Sequence, residues 1–100
     1  MSYKIGETIK YVGEVRLEGV LQNLSAWVIT AQAQKDKVGG ASLGNFTRTD
    51  PSLGVFQLTL PTAGLTPCQV FFDVRIVKPD GSVAYTDTDT FPLLKAVTPP

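Results

Sequence analysis

The sequence predicts an all-β protein, and three observations support this prediction. Apolar and polar residues alternate through several short segments, which is typical of strands with one buried face. Gly, Pro and Asp recur between these segments at intervals of about ten residues, as expected of turns that join short strands. Helical periodicity does not extend over the length of an ordinary helix in any segment. The 100 residues suffice for one domain, residues 1–100, and are too few for two.

The first half of the chain contains three predicted strands. In residues 9–17 the odd-numbered positions are mainly apolar and the even-numbered positions mainly charged. Residues 27–33 alternate in the same way, with Trp27 on the apolar side. Residues 35–40 are expected to form a loop, because paired glycines interrupt the pattern. Residues 42–49 predict a weaker strand.

A turn and a further strand follow. Asp50 and Pro51 predict a turn, because proline presets the backbone angle at its second position and aspartate suits the first. Residues 54–60 then alternate as a strand, which Pro61 ends because it has no N–H for a central ladder. Residues 62–67 are expected to connect this strand to the next, with room for one helical turn.

The strongest patterns lie near the C-terminus. Residues 70–76 show the longest alternation in the chain, and residues 78–82 (Lys-Pro-Asp-Gly-Ser) predict a tight hairpin to a partner strand at residues 83–91. A last short strand is expected at residues 93–97. About seven short antiparallel strands with regular turns predict an immunoglobulin-like β-sandwich, and a small barrel is the structural alternative.

The composition argues against several classes of function. Nine basic and nine acidic residues cancel, so we expect no nucleic-acid partner and no attachment to membranes. No apolar run approaches the length of a membrane helix or resembles a signal peptide, which predicts synthesis in the cytoplasm. The chain has no histidine and a single cysteine. The commonest general base and metal ligand is therefore missing, and an internal disulfide is excluded.

The candidates for chemistry are better explained as structural residues. Cys68 shares the inward parity of residues 70–76, so we expect it to pack in the core as a small hydrophobe. Asp87 and Asp89 would share one face of a strand, but calcium needs more oxygens than they supply, and a solvated polar face is expected. The glycines at 39–40 lack the spacing of a phosphate-binding loop. We therefore predict no enzyme activity, no cofactor, no metal site and no small-molecule substrate.

Apolar residues on the polar side of the strands are the candidates for an interface. Trp27 is expected in the core, with a role as an interface anchor as the alternative. The predicted interface residues are Val12, Val28, Val55, Phe71 and Val77. Scattered over the surface they would be ordinary, whereas together they would form a patch that binds a partner. Short terminal arms, at about residues 1–7 and 96–100, are further candidates because such arms often become ordered against neighbours.

The order of several short motifs resembles a group of small phage and prophage proteins. The motifs span nearly the whole chain: Gly6-Glu7-Thr8, Asn23-Leu24-Ser25-Ala26-Trp27, Thr49-Asp50, Gly54-Val55-Phe56-Gln57-Leu58, Phe71-Phe72-Asp73-Val74-Arg75-Ile76, Pro79-Asp80-Gly81-Ser82-Val83, Thr86-Asp87-Thr88 and Val97-Thr98. They are similar to the N-terminal immunoglobulin-like domain of the baseplate upper protein and its relatives in tail and fibre genes. One departure is Asn23, where the family often carries an acidic residue.

The resemblance implies a structural or adapter protein of the virion, acting through protein–protein contacts in the tail, baseplate or fibre region. It carries over no catalytic residue. The implied partners are other virion proteins, with a homo-oligomer or many symmetric copies of this chain. A capsid decoration protein that staples capsid subunits is one alternative. A carbohydrate-binding or adhesion module is another, for which Tyr3, Tyr85 and Trp27 are the only plausible platforms and two of these are expected to point inward.

Overall fold

The computed structural model describes residues 2–98 and confirms the all-β prediction. Within that range the chain forms strands, turns and irregular segments, with no helix and hence none that could cross a membrane. Eleven strands are present in this range instead of about seven, because the strands predicted at residues 9–17 and 42–49 are each divided in two and two segments of two residues add strands of their own. The strands are β1 (Tyr3–Lys4), β2 (Thr8–Glu14), β3 (Arg16–Leu17), β4 (Val20–Leu21), β5 (Val28–Lys35), β6 (Ser42–Asn45), β7 (Thr47–Ser52), β8 (Val55–Pro61), β9 (Cys68–Val77), β10 (Val83–Tyr85) and β11 (Asp89–Leu94).

The strands form two larger sheets and one small hairpin. The six-stranded sheet has the order β1-β11-β9-β5-β6, and β10 also pairs with β9. In it β1 runs parallel to β11, and the other pairs are antiparallel. The three-stranded sheet has the antiparallel order β2-β8-β7, while β3 and β4 pair with each other.

Both sheets contribute side chains to one hydrophobic core. Phe72 of β9 lies at its centre, with its ring centroid 5.0 Å from that of Phe46 and 6.1 Å from that of Phe91. Tyr11 reaches it from the three-stranded sheet, at 6.0 Å and edge-on. Trp27 is buried, as predicted for a core residue. The alternate residues of β5, β8 and β9 are buried as the sequence predicts, because each strand has one face toward this core.

The first predicted strand is shorter than expected. Glu18 and Gly19 have φ angles of 52° and 80°, which turn the chain back between β3 and β4. Positive φ at both central residues is the property of the type I′ turns that favour two-residue hairpins. Leu17, predicted to point inward, is therefore exposed at the end of this hairpin.

Two further strand boundaries differ from the prediction. Residues 50–52, predicted as a turn, belong to β7, whose register against β8 shifts after Thr49. The turn comes later, at Gly54, whose φ of 70° suits glycine. The strand predicted around Phe46 is divided into β6 and β7, one in each sheet, because the chain crosses between the sheets at this buried residue.

The hairpin predicted at residues 78–82 is confirmed. The Lys78 N–H donates to the Ser82 carbonyl oxygen at 2.9 Å, and Gly81 has a φ of 89°. The Asp80 carboxylate accepts the Ser82 N–H at 2.8 Å, which stabilises the turn locally. The turn chemistry of this segment thus predicts its conformation.

The strand after this hairpin is divided by a bulge. Between Tyr85 and Asp89 the chain has three residues, whereas the paired stretch of β9 between Arg75 and Phe72 has two. Thr86 still lies opposite Val74 at the start of the bulge, since its N–H donates to the Val74 carbonyl oxygen at 3.0 Å and its hydroxyl accepts the Val74 N–H at 2.9 Å. The strand predicted at residues 93–97 instead belongs to β11, which ends at Leu94. Residues 62–67 form an irregular connection without a helical turn.

The segment expected as an N-terminal arm is attached to the fold through β1 and Thr62. The Thr62 side chain is fully buried, and its hydroxyl donates to the Glu7 carbonyl oxygen at 2.6 Å. The same hydroxyl accepts the Gly6 N–H at 3.0 Å. Residues 96–98 of the expected C-terminal arm carry no strand, and Met1, Pro99 and Pro100 lie outside the described residues.

Replacing Thr62 with valine is expected to lower the free energy of unfolding by about 1–3 kcal/mol, because the isosteric side chain loses both hydrogen bonds of the buried Thr62 hydroxyl, to the Glu7 carbonyl oxygen and from the Gly6 N–H. Urea denaturation of the wild type and the variant measures this difference. The exposed Thr66 in the same connection provides the control, since Thr66→Val removes no hydrogen bond of the described structure. Equal losses in the two variants would contradict the proposed anchor.

Candidate functional site

The predicted interface residues lie on two different surfaces of the protein. Val12 and Val55 are on the outer face of the three-stranded sheet, whereas Val28, Phe71 and Val77 are on the outer face of the six-stranded sheet. Val12 is 57% exposed and Val28 is 50% exposed, and the other three are half-buried. The five residues therefore do not form one patch.

Three valines form a short apolar row across the six-stranded sheet. Val77 pairs with Val28 on one side and with Val83 on the other, and Val83 is 47% exposed. Val83 was not among the residues predicted for an interface. Its place could have been derived from the hairpin at residues 78–82, which sets it directly opposite Val77.

The outer face of the six-stranded sheet also forms an open groove of ≈ 510 Å³ next to this row. The side chains of β5, β6, β9 and β10 alternate outward at this face, since their neighbours in the chain point into the core. Polar and apolar groups share the lining, which includes four aromatic residues. The lining includes Gln32, Gln34, Asn45, Phe71, Asp73, Arg75 and Tyr85.

The amide side chains of the groove are connected to one another. The Gln32 Nε2 donates to the Asn45 Oδ1 at 3.3 Å, and the Gln34 Nε2 donates to the Gln32 Oε1 at 3.4 Å. The Gly39 N–H donates to the Gln34 Oε1 at 2.8 Å. This chain of hydrogen bonds orients several amides along one side of the groove and leaves further donors and acceptors on the same groups for a ligand.

Asp73 and Arg75 supply the charges of the groove. Both project from β9, with Asp73 opposite Gln32 and Arg75 between Thr30 and Tyr85. Neither forms an ion pair with another side chain in the part of the chain that the structure describes. The groove thus offers one carboxylate and one guanidinium to a partner, at no net charge.

Tyr85 is the exposed aromatic residue of the groove. Its side chain is 62% exposed, directly across from Arg75. Of the two other platforms considered for carbohydrate binding, Trp27 is buried and Tyr3 packs against Phe91 with ring centroids 5.1 Å apart. An aromatic ring beside polar groups is suited to contact a partner on one face and to donate a hydrogen bond at its edge.

The two carboxylates Asp87 and Asp89 do not share a strand face. Asp87 is exposed in the bulge, and Asp89 is half-buried at the start of β11. Burial raises the pKa of the Tyr11 hydroxyl, and the Asp89 carboxylate raises it further. Among residues 2–98 no group of three side chains of the metal-binding types comes together.

Cys68 is half-buried at the start of β9, where it pairs with Leu93 and packs against the edge of the core. Burial raises the pKa of its thiol. The neighbouring Asp36 carboxylate raises that pKa further, and Lys35 partly opposes the shift. The thiolate is the reactive form, so this environment disfavours nucleophilic chemistry at neutral pH.

We expect the Cys68 thiol to be alkylated by iodoacetamide more slowly in the folded protein than in urea, over the pH range around neutrality. The Asp36→Asn variant should react faster than the wild type, because it removes the negative charge and keeps the oxygen that accepts the Gln69 N–H. The rate is measured by mass spectrometry at several pH values. A folded-state rate equal to the denatured rate would contradict the raised pKa.

A second hollow of ≈ 660 Å³ lies beside the C-terminal segment. Its lining is mainly apolar and includes Ile5, Leu65, Pro67 and Val97. Val97 itself is 96% exposed. This hollow lacks the paired charges and the exposed aromatic ring of the groove.

The candidate binding surfaces are therefore the groove and the outer sheet faces that carry the exposed valines. Comparisons with known proteins add no assignment to either: no model of a known protein family matches the chain, and no curated protein matches it.

Proposed function

We propose that this chain is a non-catalytic structural or adapter protein of a bacteriophage particle. It acts through protein–protein contacts in the tail, baseplate or fibre region, and it is present in several symmetric copies. The observation that carries the proposal is the groove, in which a sheet holds the exposed Tyr85 beside Asp73 and Arg75. Neither of these two charged side chains has an ion-pair partner among the described residues. The motif order described above supports the assignment to a phage particle.

The strand order supports an immunoglobulin-like sandwich as the fold. In that fold one sheet contains strands C, F and G with F in the centre, and the other contains B, E and D. Here β5, β9 and β11 have the first arrangement, and β2, β8 and β7 have the second. This correspondence agrees with the resemblance to the phage immunoglobulin-like domains.

The groove has the composition of a protein-binding surface. Tyrosine and arginine are enriched among the residues that contribute most binding energy, and Tyr85 and Arg75 lie side by side. The strands fix the backbone of these residues before a partner arrives, which reduces the entropy lost on binding. Asp73 and Arg75 together favour a partner surface that itself carries one charge of each sign.

Incorporation into particles tests the proposal. A phage that lacks the gene is propagated in cells that supply the wild-type chain, Tyr85→Ala, Arg75→Glu or Thr49→Ala. We expect the two groove variants to be depleted from purified particles at least about tenfold, because each removes a central contact. Thr49 is exposed on the outer face of the three-stranded sheet, so Thr49→Ala should be incorporated normally.

Mass spectrometry of purified particles measures these amounts, and cryo-microscopy locates the protein. Its absence from intact wild-type particles would contradict the proposal. Its presence on isolated heads and not on tails would assign it instead to capsid decoration, where it would staple capsid subunits.

Carbohydrate binding in the same groove is a second candidate, favoured by the exposed Tyr85 ring next to the row of Gln32, Gln34 and Asn45 amides. Amides can donate and accept hydrogen bonds to hydroxyl groups, and an aromatic face can contact the apolar face of a sugar ring. A glycan array tests this candidate. A signal that Tyr85→Phe retains and Tyr85→Ala loses would support it, and the absence of any signal from the wild type would reject it.

A further inference from the structure

β2 is an edge strand whose outer side carries no other strand of the described chain. It pairs with β8 over all seven of its residues, without a register shift. The preceding strand, β1, pairs with β11 in the other sheet and so does not cover this edge. A regular, unpaired edge offers its N–H and C=O groups to another strand.

The backbone groups that point outward from this edge can be identified. The Glu7 carbonyl oxygen accepts the Thr62 N–H at 3.2 Å, and the Val15 N–H donates to the Gly54 carbonyl oxygen at 2.7 Å. The odd-numbered residues therefore bond on the β8 side, and because successive residues of a strand alternate, the even-numbered residues direct their groups to the free edge. In agreement, the Lys10 N–H bonds to the Tyr3 hydroxyl, at a long 3.4 Å.

We propose that a second copy of this chain pairs with this edge in an antiparallel arrangement whose two-fold axis passes beside Val12. The even-numbered residues, whose backbone groups are free, then form hydrogen-bonded pairs: Val12 with Val12 of the second copy, and Lys10 with Glu14 of the second copy. The two three-stranded sheets become one continuous six-stranded sheet. The Lys10 N–H exchanges its long contact with Tyr3 for a carbonyl oxygen of the second copy.

The side chains of β2 favour this pairing. Val12, which is 57% exposed in the single chain, packs against its own copy. Lys10 of each copy lies opposite Glu14 of the other copy, so each of these exposed charges has a partner of opposite sign. A parallel pairing in register would instead place like charges opposite each other. The ion pair of Glu14 with Arg16 within one chain is exposed, about half of each side chain being accessible, and is therefore a weak competitor.

The other edges of the two sheets are less suited to pairing. β7 contains Pro51, which has no N–H, and its register is shifted. β6 has four residues, its register against β5 shifts between Ser42 and Gly44, and Gly44 has a φ of 135°. β1 has two residues. β2 thus combines length, regularity and complementary charges.

Sedimentation of the full chain over a range of concentrations tests the proposal, and the wild type is expected to form a reversible dimer. Val12→Pro should raise the dimer Kd at least about tenfold, because two intermolecular hydrogen bonds are lost, one from each copy. The pairing with β8 is preserved, since the lost N–H points away from β8. A monomeric wild type at the highest soluble concentration, or an unchanged Kd in a folded Val12→Pro variant, would overturn the proposal.

Charge reversal tests the register independently of the proline variant. Lys10→Glu alone places two glutamates opposite each other, and Glu14→Lys alone places two lysines opposite each other, so each variant should be monomeric. Mixing the two variants restores both opposite-charge pairs, and a heterodimer is expected. A mixture that stays monomeric while the wild type dimerises would overturn the antiparallel register.

This inference does not rest on the groove or on the proposed role in a phage particle. Because Tyr85 lies on the outer face of the other sheet, Tyr85→Ala should leave the dimer Kd unchanged. Loss of incorporation into particles with an intact dimer, or the reverse, therefore separates the two proposals.

Discussion

Replacing Gly13 with alanine is expected to lower the free energy of unfolding by at least about 2 kcal/mol, a large effect for one methyl group. Gly13 pairs directly with Phe56 across β2 and β8, and the Phe56 ring occupies the space where a side chain of residue 13 would begin. Phe56 is buried and stacks on Tyr11, with ring centroids 6.0 Å apart, so the ring has little freedom to move aside. Urea denaturation measures the loss.

A double-mutant cycle separates this overlap from the intrinsic effect of alanine. In a Phe56→Leu background the ring is absent, so Gly13→Ala should cost much less than in the wild type. Thr49→Ala, at an exposed position on the outer face of the same sheet, controls for a substitution outside the core. An additive cycle would show that the ring of Phe56 is not the cause.

Replacing Arg48 with alanine is expected to cost about 2–4 kcal/mol, because hydrogen bonds from a charged donor are stronger than neutral ones and the carbonyl groups they satisfy lie next to the core. The Arg48 guanidinium donates to the carbonyl oxygens of Leu24 and Trp27, the former at 2.7 Å. It also forms a two-point ion pair with Asp50. Arg48 thus joins β7 to the segment that leads into β5. Thermal and urea denaturation measure the loss.

Two control variants identify which contacts of Arg48 matter. Asp50→Asn removes the charge of the partner and keeps both bonds to carbonyl oxygens, so we expect a loss below about 1 kcal/mol. Arg16 forms an ion pair with Glu14 in which both side chains are about half exposed. Arg16→Ala should therefore also change the free energy of unfolding by less than about 1 kcal/mol. An Asp50→Asn effect as large as that of Arg48→Ala would assign the stabilisation to the ion pair instead.

Residues that fold by local rules could be predicted from the sequence. The alternation of Ile29, Ala31 and Ala33, and that of Val70, Phe72 and Val74, gave their inward faces because side chains of a strand point alternately to its two sides. The hairpin at residues 78–82 followed from the backbone preferences of proline, aspartate and glycine. Two of the described strands, β1 and β4, were beyond this reasoning, since two residues do not display a period.

The candidate surfaces could be predicted only in part. Val12 and Val28 were correctly expected on outer faces, because they have the opposite parity to the buried residues. Their separation onto two sheets could not be predicted, since strand parity says nothing about which sheet a strand joins. The place of Arg48 was hidden for a similar reason: its carbonyl partners lie more than twenty residues away in the chain.

The sequence by itself determined the local properties of this protein: an all-β chain, the buried parity of its main strands, the turn at residues 78–82 and a balanced charge. The tertiary structure alone decided that the chain crosses between sheets at Phe46, that Asp73, Arg75 and Tyr85 line one groove, and that β2 has an open edge. The physical reason is that side-chain direction follows from neighbouring residues, whereas strand partners are chosen by contacts between residues distant in sequence.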